Sequence, residues 1–473
     1  MNRLKAFMQK MDPTELTAKD RNLPQILEVK DFIAMGLGTI VGTTIFTLPG
    51  LIAARHAGPA VALSFLMAAV VAGLVAFAYA EMASVLPFAG SAYSWINVLF
   101  GRGWGWLAGW ALLAEYFIAV AFVGSGLSSQ IHLILASLKT NLPSQLSHPM
   151  GTDGGFVDLI ALLAIFLVGY IVSKGMSGAA RIDVALVILK VAAIFIFVIV
   201  GAAHLDLSNY HPFIPAYKET AEGAFGGWQG ITAGASGIFL SYIGFDSIAA
   251  SSAEAKNPQK TMPRGILGSL FIAVILFMTV SLILVGVVNY TNFSTGPGAA
   301  APMGWAMHSI GFGWLGNALE VIASFGMFTA LIGMTLAGSR LLYSFGRDKM
   351  LPSWFGKLDQ NGSPKHSIWF ITTMAIIVGA FFPFEFLAQL ISAGTLIAFV
   401  FVTLGMYTLR KREGVDLPLP GFKVPLYPLM PALGTIGSVI IILGLGNAAK
   451  IYIIIWMILG FLLYMFYGVK RQK

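Results

Sequence analysis

The sequence predicts an all-α integral membrane protein with 12 transmembrane helices, on three observations: composition, the length of the apolar runs and the sidedness of positive charge. Of 473 residues, 57% are hydrophobic and 11% are charged, a balance suited to lipid rather than water as the main solvent. Apolar runs of about 20 residues recur, each long enough to cross a bilayer core as a helix. They lack the alternation of barrel strands, and backbone amides in hydrocarbon must be satisfied within each segment, so helices follow. The runs lie near 31 to 54, 60 to 86, 104 to 137, 156 to 173, 182 to 203, 229 to 252, 265 to 290, 312 to 345, 366 to 381, 385 to 408, 426 to 446 and 450 to 467.

With the N-terminus inside, 24 Lys and Arg residues fall on the inner side and 4 on the outer. This bias places both termini in the cytoplasm of a multi-pass plasma (cell) membrane protein. It also explains the net charge of +8 without nucleic acid, for which no soluble basic domain exists. Cysteine is absent, which excludes disulfides and thiolate metal sites, and neither a metal nor a cofactor is expected. The first thirty residues mix Arg3, Lys5, Lys10, Lys19, Arg21 and Lys30 with Asp12, Glu15, Asp20 and Glu28, so they read as a retained tail rather than a signal peptide. Loops are short and punctuated, as at Asn141-Leu142-Pro143, which leaves function to the bundle.

Two spans have poor helical centres. The first runs Gly36-Leu37-Gly38-Thr39-Ile40-Val41-Gly42-Thr43-Thr44-Ile45-Phe46, with Pro49 beyond. The sixth runs Gly234-Ala235-Ser236-Gly237-Ile238-Phe239-Leu240-Ser241-Tyr242-Ile243-Gly244-Phe245-Asp246-Ser247. Interruptions at matching places in two halves point to an inverted-repeat transporter with a midplane site. An unwound turn frees amides at one half-helix start and carbonyls at another half-helix end, and an α-amino acid needs both. The amides following Gly42 would meet its carboxylate, and carbonyls near Ile40 and in span six its ammonium. The competing reading is that these glycines are small-residue packing faces.

Two resemblances to enzyme motifs fail. Gly36-x-Gly38-x-x-x-Gly42 has one residue too many for a dinucleotide loop and no strand before it. Gly234-Ala235-Ser236-Gly237 resembles an intramembrane serine-protease segment, but the seven histidines fall in loops or near span ends, so no general base is at hand. The chain is not expected to be an enzyme.

Lys190 is the basic residue that lies well inside a predicted span. Facing lipid would cost it at least ~2.5 kcal/mol, so it should face protein unless it snorkels to the inner surface. Burial penalises its charged form, which makes it the candidate proton site. Glu115 in span three either pairs with Lys190, binds a proton itself or is a structural acid. Asp246 reads as a cap or a partner for nearby threonines, and Glu254 as a partner for Lys256 or Arg264 at a cytoplasmic gate.

Gly38 to Phe46, Ala57-Gly58-Pro59-Ala60, Gly90-Ser91-Ala92-Tyr93, Tyr242 to Asp246, Glu254-Ala255-Lys256-Asn257-Pro258, Ser392-Ala393-Gly394-Thr395-Leu396 and the Pro-rich stretch Pro418 to Pro431 resemble the amino acid-polyamine-organocation superfamily. Its cationic amino acid transporter branch fits best, from about residue 30 to 468. The resemblance implies a cytoplasmic tail (1–30), two inverted five-helix repeats (31–203 and 229–408) and two peripheral helices (426–467), with helices 1 and 6 unwound at mid-membrane. By the same resemblance the substrate carboxylate meets amides of Gly42, Thr43 and Thr44. The ammonium meets carbonyls of Ile40, Phe239 or Leu240, and Ile243, with Phe239 or Leu240 as a lid. A span-five lysine in proton-coupled relatives replaces the sodium ion of sodium-coupled cousins, and this resembles Lys190.

The pocket candidates Ile40, Phe239, Leu240, Ile243 and Met327 are apolar, which favours small and medium neutral amino acids over lysine or arginine. The expectation is therefore a proton-coupled amino acid symporter working by alternating access. The alternatives are an exchanger or antiporter, cationic amino acid uptake, or a sensor that binds without transporting. Partners are the amino acid, the proton and membrane lipid, with an accessory membrane subunit left open.

Overall fold

The computed structural model describes residues 3–42, 44–137, 140, 142–150, 154–220, 223–381, 384–445 and 447–469. Among these, seven helical stretches are long and apolar enough to cross a membrane: Thr44–Val85, Arg102–His132, Arg181–Ala202, Pro258–Val287, Gly313–Arg347, Ala393–Arg412 and Lys450–Gly468. Three shorter apolar helices join them, Leu159–Ser173, Lys365–Phe381 and Leu429–Leu443. The predicted spans that no single apolar helix represents are the first and the sixth, which are built from short pieces. Length alone therefore yields fewer than the twelve expected.

Large apolar side chains point outward, Ile199 at 68%, Phe271 at 67% and Ile188 at 64% exposure, the inverse of a water-soluble surface and suited to lipid. The Pro258–Val287 helix packs on Val61–Val85 and Val29–Ile40, while Phe384–Arg412 and Gly313–Arg347 pack on Arg102–Ser137. Phe65 and Phe277 stack at 4.9 Å in the first of these contacts. The last helix is held by two indoles: Trp110 Nε1 donates to Trp456 O and Trp456 Nε1 to Trp110 O, both at 2.8 Å. Each buried N–H thus has the partner it needs away from water. Outside the helices, Lys218–Thr220 and Gly223–Phe225 form a small antiparallel pair.

The residues expected as a plain tail are folded onto the bundle. Asp12 caps the Pro13–Asp20 helix by accepting from Thr14 N at 2.8 Å, and Ala6 and Leu16 are buried. Arg102 N donates to Gln9 O at 2.9 Å. Asp20 accepts from Arg347 Nη1 at 2.6 Å and from Ala89 N at 3.0 Å. Burying Leu16 alone contributes ~1.5–3 kcal/mol, which a charge-rich composition conceals.

Candidate functional site

The Val29–Ile40 helix ends at Val41, whose φ of −87° and ψ of 57° are not helical, and Thr44–Ile52 begins a new helix. Thr43, an expected carboxylate contact, lies outside the described residues. Helix Gly227–Ile238 gives way to a 3₁₀ turn over Phe239–Tyr242, and a short helix, Phe245–Ala249, follows Gly244. The two interruptions touch. Thr39 Oγ1 donates to Gly244 O at 3.1 Å, and Gly244, at φ +129°, sits so close that a Cβ there would lie 2.9 Å from Thr39 Cβ. Only glycine satisfies both the dihedral and the approach.

Between the interruptions lies a cavity of about 60 Å³. Thr39, Ile40, Gly42 and Thr44 line it from the first, Ser241 and Ile243 from the second. Ala119, Phe122 and Val123, then Ala330 and Met334, and finally Ile391 close the sides. A much larger groove of about 790 Å³ lies between Val61–Val85 and Pro258–Val287, but it is lined by side chains such as Leu66, Val70, Phe77 and Phe271, and among the described residues its one charged lining residue is the exposed Arg264. A site for a polar solute needs convergent polar groups, so the smaller cavity is the candidate.

Of the sequence-predicted contacts, Ile40, Gly42, Thr44 and Ile243 converge on this cavity. Phe239 does not: it is buried with its ring 6.4 Å from that of Phe399. Met327 is fully buried in the core, and the same helix lines the cavity with Ala330 and Met334 instead. Leu240 has backbone in the 3₁₀ turn, while its side chain lies outside the described residues. The lining from Ala119, Phe122, Val123 and Ile391 was missed, because nothing in an apolar helix marks which face meets a distant break.

Lys190 is fully buried and does not snorkel. Its ammonium donates to Leu37 O at 3.0 Å, Gly38 O at 3.1 Å and Thr329 Oγ1 at 2.8 Å, which uses all three of its donors. Thr329 Oγ1 also reaches Gly38 O, at 2.9 Å. The geometry follows from the helix end. Gly38 O would ordinarily accept from the fourth residue on, but the helix stops at Ile40, leaving an orphan carbonyl at the negative end of the helix dipole. Lys190 and Thr329 fill that vacancy.

Glu115 is not Lys190's partner. It lies against Asp246 and Thr395, with neither carboxylate oxygen in a well-formed hydrogen bond. Asp246 accepts from Gly244 N at 3.1 Å and from Tyr116 OH at 3.3 Å, so it fastens the second interruption through backbone and tyrosine rather than threonine. Glu254 pairs with neither Lys256 nor Arg264. Its Oε1 accepts from Arg340 Nε at 2.8 Å in a fully buried pair, while Lys256 reaches Glu28. Arg340 and Asp183, a buried acid on the Lys190 helix, were both missed, each lying close enough to a predicted span end to read as solvated.

Apolar helices around a small cavity, with two backbone interruptions and a lysine buried against the carbonyls of the first, suit a multi-pass membrane protein, and its family marks it as a transporter rather than an enzyme. The chain belongs to the family described as Amino acid permease, whose profile matches residues 27–463, within the amino acid-polyamine-organocation superfamily. It is 57% identical to a protein named branched-chain amino acid permease BcaP from Lactococcus lactis subsp. cremoris (strain MG1363), over 99% of each chain. It is 32% identical to a methylthioribose transporter of Bacillus subtilis (strain 168), over 96% of each chain. A vacuolar cationic amino acid transporter 4 of Arabidopsis thaliana is also 32% identical, over 87% of this chain and 68% of the relative.

Proposed function

We propose that this protein imports branched-chain amino acids across the plasma membrane by proton symport, with both termini in the cytoplasm. In this reading the first repeat spans 31–203, the second 229–408, and 426–467 form two peripheral helices of a twelve-helix, alternating-access bundle. The carboxylate of the substrate sits at the amides of Gly42, Thr43 and Thr44, where a helix starts and its dipole is positive. The ammonium meets the carbonyls around Ile40 and Ile243. The carrying observation is the cavity lining: both interruptions border it, with Thr39, Gly42, Thr44 and Ser241 among the lining residues, and Ile40, Phe122, Val123, Ile243, Met334 and Ile391 contribute an apolar slot.

The 57% identity to a branched-chain permease supports that substrate class over the methylthioribose and cationic readings suggested by relatives at 32%. Among the described residues lining the cavity there is no carboxylate, and Glu115 faces Asp246, so a lysine or arginine side chain would lack a counter-charge. Purified protein in proteoliposomes should concentrate leucine under an inward proton gradient and ignore sodium, with isoleucine and valine competing and arginine not. A sodium requirement, or counterflow without any proton response, would instead make it a different symporter or an exchanger.

The slot also predicts specificity. Ala330→Leu adds three carbons to the cavity wall, and overpacking of this kind costs ~1–3 kcal/mol. Leucine uptake should fall by roughly ten- to a hundredfold, while alanine, with its shorter side chain, loses less. Competition curves for the two substrates on one preparation measure the difference.

A further inference from the structure

We infer that Asp183 is the relay through which Lys190 exchanges its proton with the side of the membrane that carries the N-terminus; this rests on the symport reading of Lys190. Asp183 is 1% exposed, and among the described residues neither of its carboxylate oxygens has a hydrogen-bond partner. A buried carboxylate left without donors is costly, so its presence calls for a task. It lies seven residues before Lys190 on the Met176–Ala202 helix. That is two turns, or about 10 Å of rise, on the same helix face.

Both side chains meet the same residue of the neighbouring helix. Lys190 Nζ donates to Gly38 O at 3.1 Å, and Asp183 Oδ1 lies 2.9 Å from where a Cβ on Gly38 would be. The absent side chain is what lets the carboxylate approach, so one glycine separates acid from ammonium. The helices packed on this one carry Lys30 and Asp31, Lys260 and Arg264, His308, and Glu320, Arg340 and Arg347. Among the described residues Lys190 is the charged group that acts on Asp183, and Asp183 the one that acts on Lys190. Arg181, two residues earlier, is exposed.

The placement gives a direction. At the far end of the Met176–Ala202 helix, Gly201 packs on Ile283 and Val287. The opposite end of the Pro258–Val287 helix starts beside the bridge between Leu27 and Ala255. Asp183 therefore lies between Lys190 and the N-terminal face. The net step moves one proton: once Lys190 releases one of its three hydrogen bonds and turns toward Asp183, its ammonium gives that proton to the Asp183 carboxylate, leaving an amine and a carboxylic acid, and the acid passes the proton to water on the N-terminal side. Lys190 then holds the Gly38 carbonyl as a neutral amine, more weakly than as a cation.

The test compares wild type, Asp183→Asn, Asp183→Glu and Lys190→Ala in oriented proteoliposomes. Leucine counterflow and net gradient-driven uptake are read while the pH of the N-terminal-side compartment is varied. Asp183→Asn should keep counterflow, lose net uptake by at least about tenfold, and lose the response of its rate to that pH; Asp183→Glu should restore a response. Full net uptake with an unchanged pH profile in Asp183→Asn overturns the relay. If Asp183→Asn no longer binds leucine in detergent, the Asp183→Glu profile decides, and a Glu variant that binds leucine but shows no response to that pH also overturns it. If wild type and Lys190→Ala respond to pH alike, the assignment of the symport proton to Lys190 fails first and takes the relay with it.

Discussion

Proteoliposomes carrying Lys190→Ala are expected to exchange leucine but not to concentrate it. The binding half of that result follows from redundancy around the first interruption. Without Lys190, Leu37 O still accepts from Val41 N at 2.9 Å, and the Thr329 hydroxyl, which is shared between Gly326 O at 2.7 Å and Gly38 O at 2.9 Å, is free to turn to Gly38 O. Each carbonyl keeps one donor, so the helix end that faces the cavity survives. The coupling half follows from chemistry: alanine has no proton to carry. For one proton per substrate, a gradient of about one pH unit is worth ~1.4 kcal/mol, or a roughly tenfold concentration ratio. That ratio should collapse to about one in the variant, and tracer accumulation at steady state measures it. Lys190→Arg should also fail to accumulate, since a guanidinium keeps its proton. Undiminished accumulation by Lys190→Ala would remove the lysine from the coupling mechanism.

The parts of this architecture that sequence reveals are those fixed locally. Apolar runs declare helices because hydrocarbon leaves the backbone no other partner, and the glycine clusters at Gly36 to Gly42 and Gly234 to Gly244 fall where the structure ends one helix and starts another. Ile40, Gly42, Thr44 and Ile243 therefore converge as their positions beside the clusters suggest. Met327 shows where this reasoning stops. It shares a helix face with Ala330 and Met334, but Met334 is two turns away, about 10 Å; the face was legible and the depth was not. Phe239 fails differently, because the 3₁₀ turn over Phe239–Tyr242 alters the rotation per residue and carries the ring toward Phe399. Asp183 looks like a solvated residue near a helix start until Gly38, 145 positions earlier, admits it. The folding of residues 3–20 onto the bundle depends on equally remote partners.

Arg340→Met is expected to destabilise the protein by ~3–5 kcal/mol, the cost of removing one partner from a buried ion pair. Glu254 Oε1 accepts from Arg340 Nε at 2.8 Å, with the two side chains 0% and 1% exposed, and Oε2 has no hydrogen-bond partner among the described residues. Methionine fills a similar volume, so the loss would report the stranded carboxylate rather than a cavity. The pair joins the Gly313–Arg347 helix to the turn at Ser252–Glu254. The same turn holds the N-terminal segment, since Leu27 N donates to Glu254 O and Lys256 N to Leu27 O, both at 3.0 Å. Heating in detergent should therefore inactivate Arg340→Met far faster than wild type, read as the half-life of leucine binding at one fixed temperature. Glu254→Leu combined with Arg340→Met should recover most of that half-life, because two apolar side chains leave no buried charge unpaired. A double variant as labile as the single one would place the loss in side-chain packing around Arg340 instead of in the charge. Recovery of stability without recovery of uptake would locate the pair's value in transport rather than in folding.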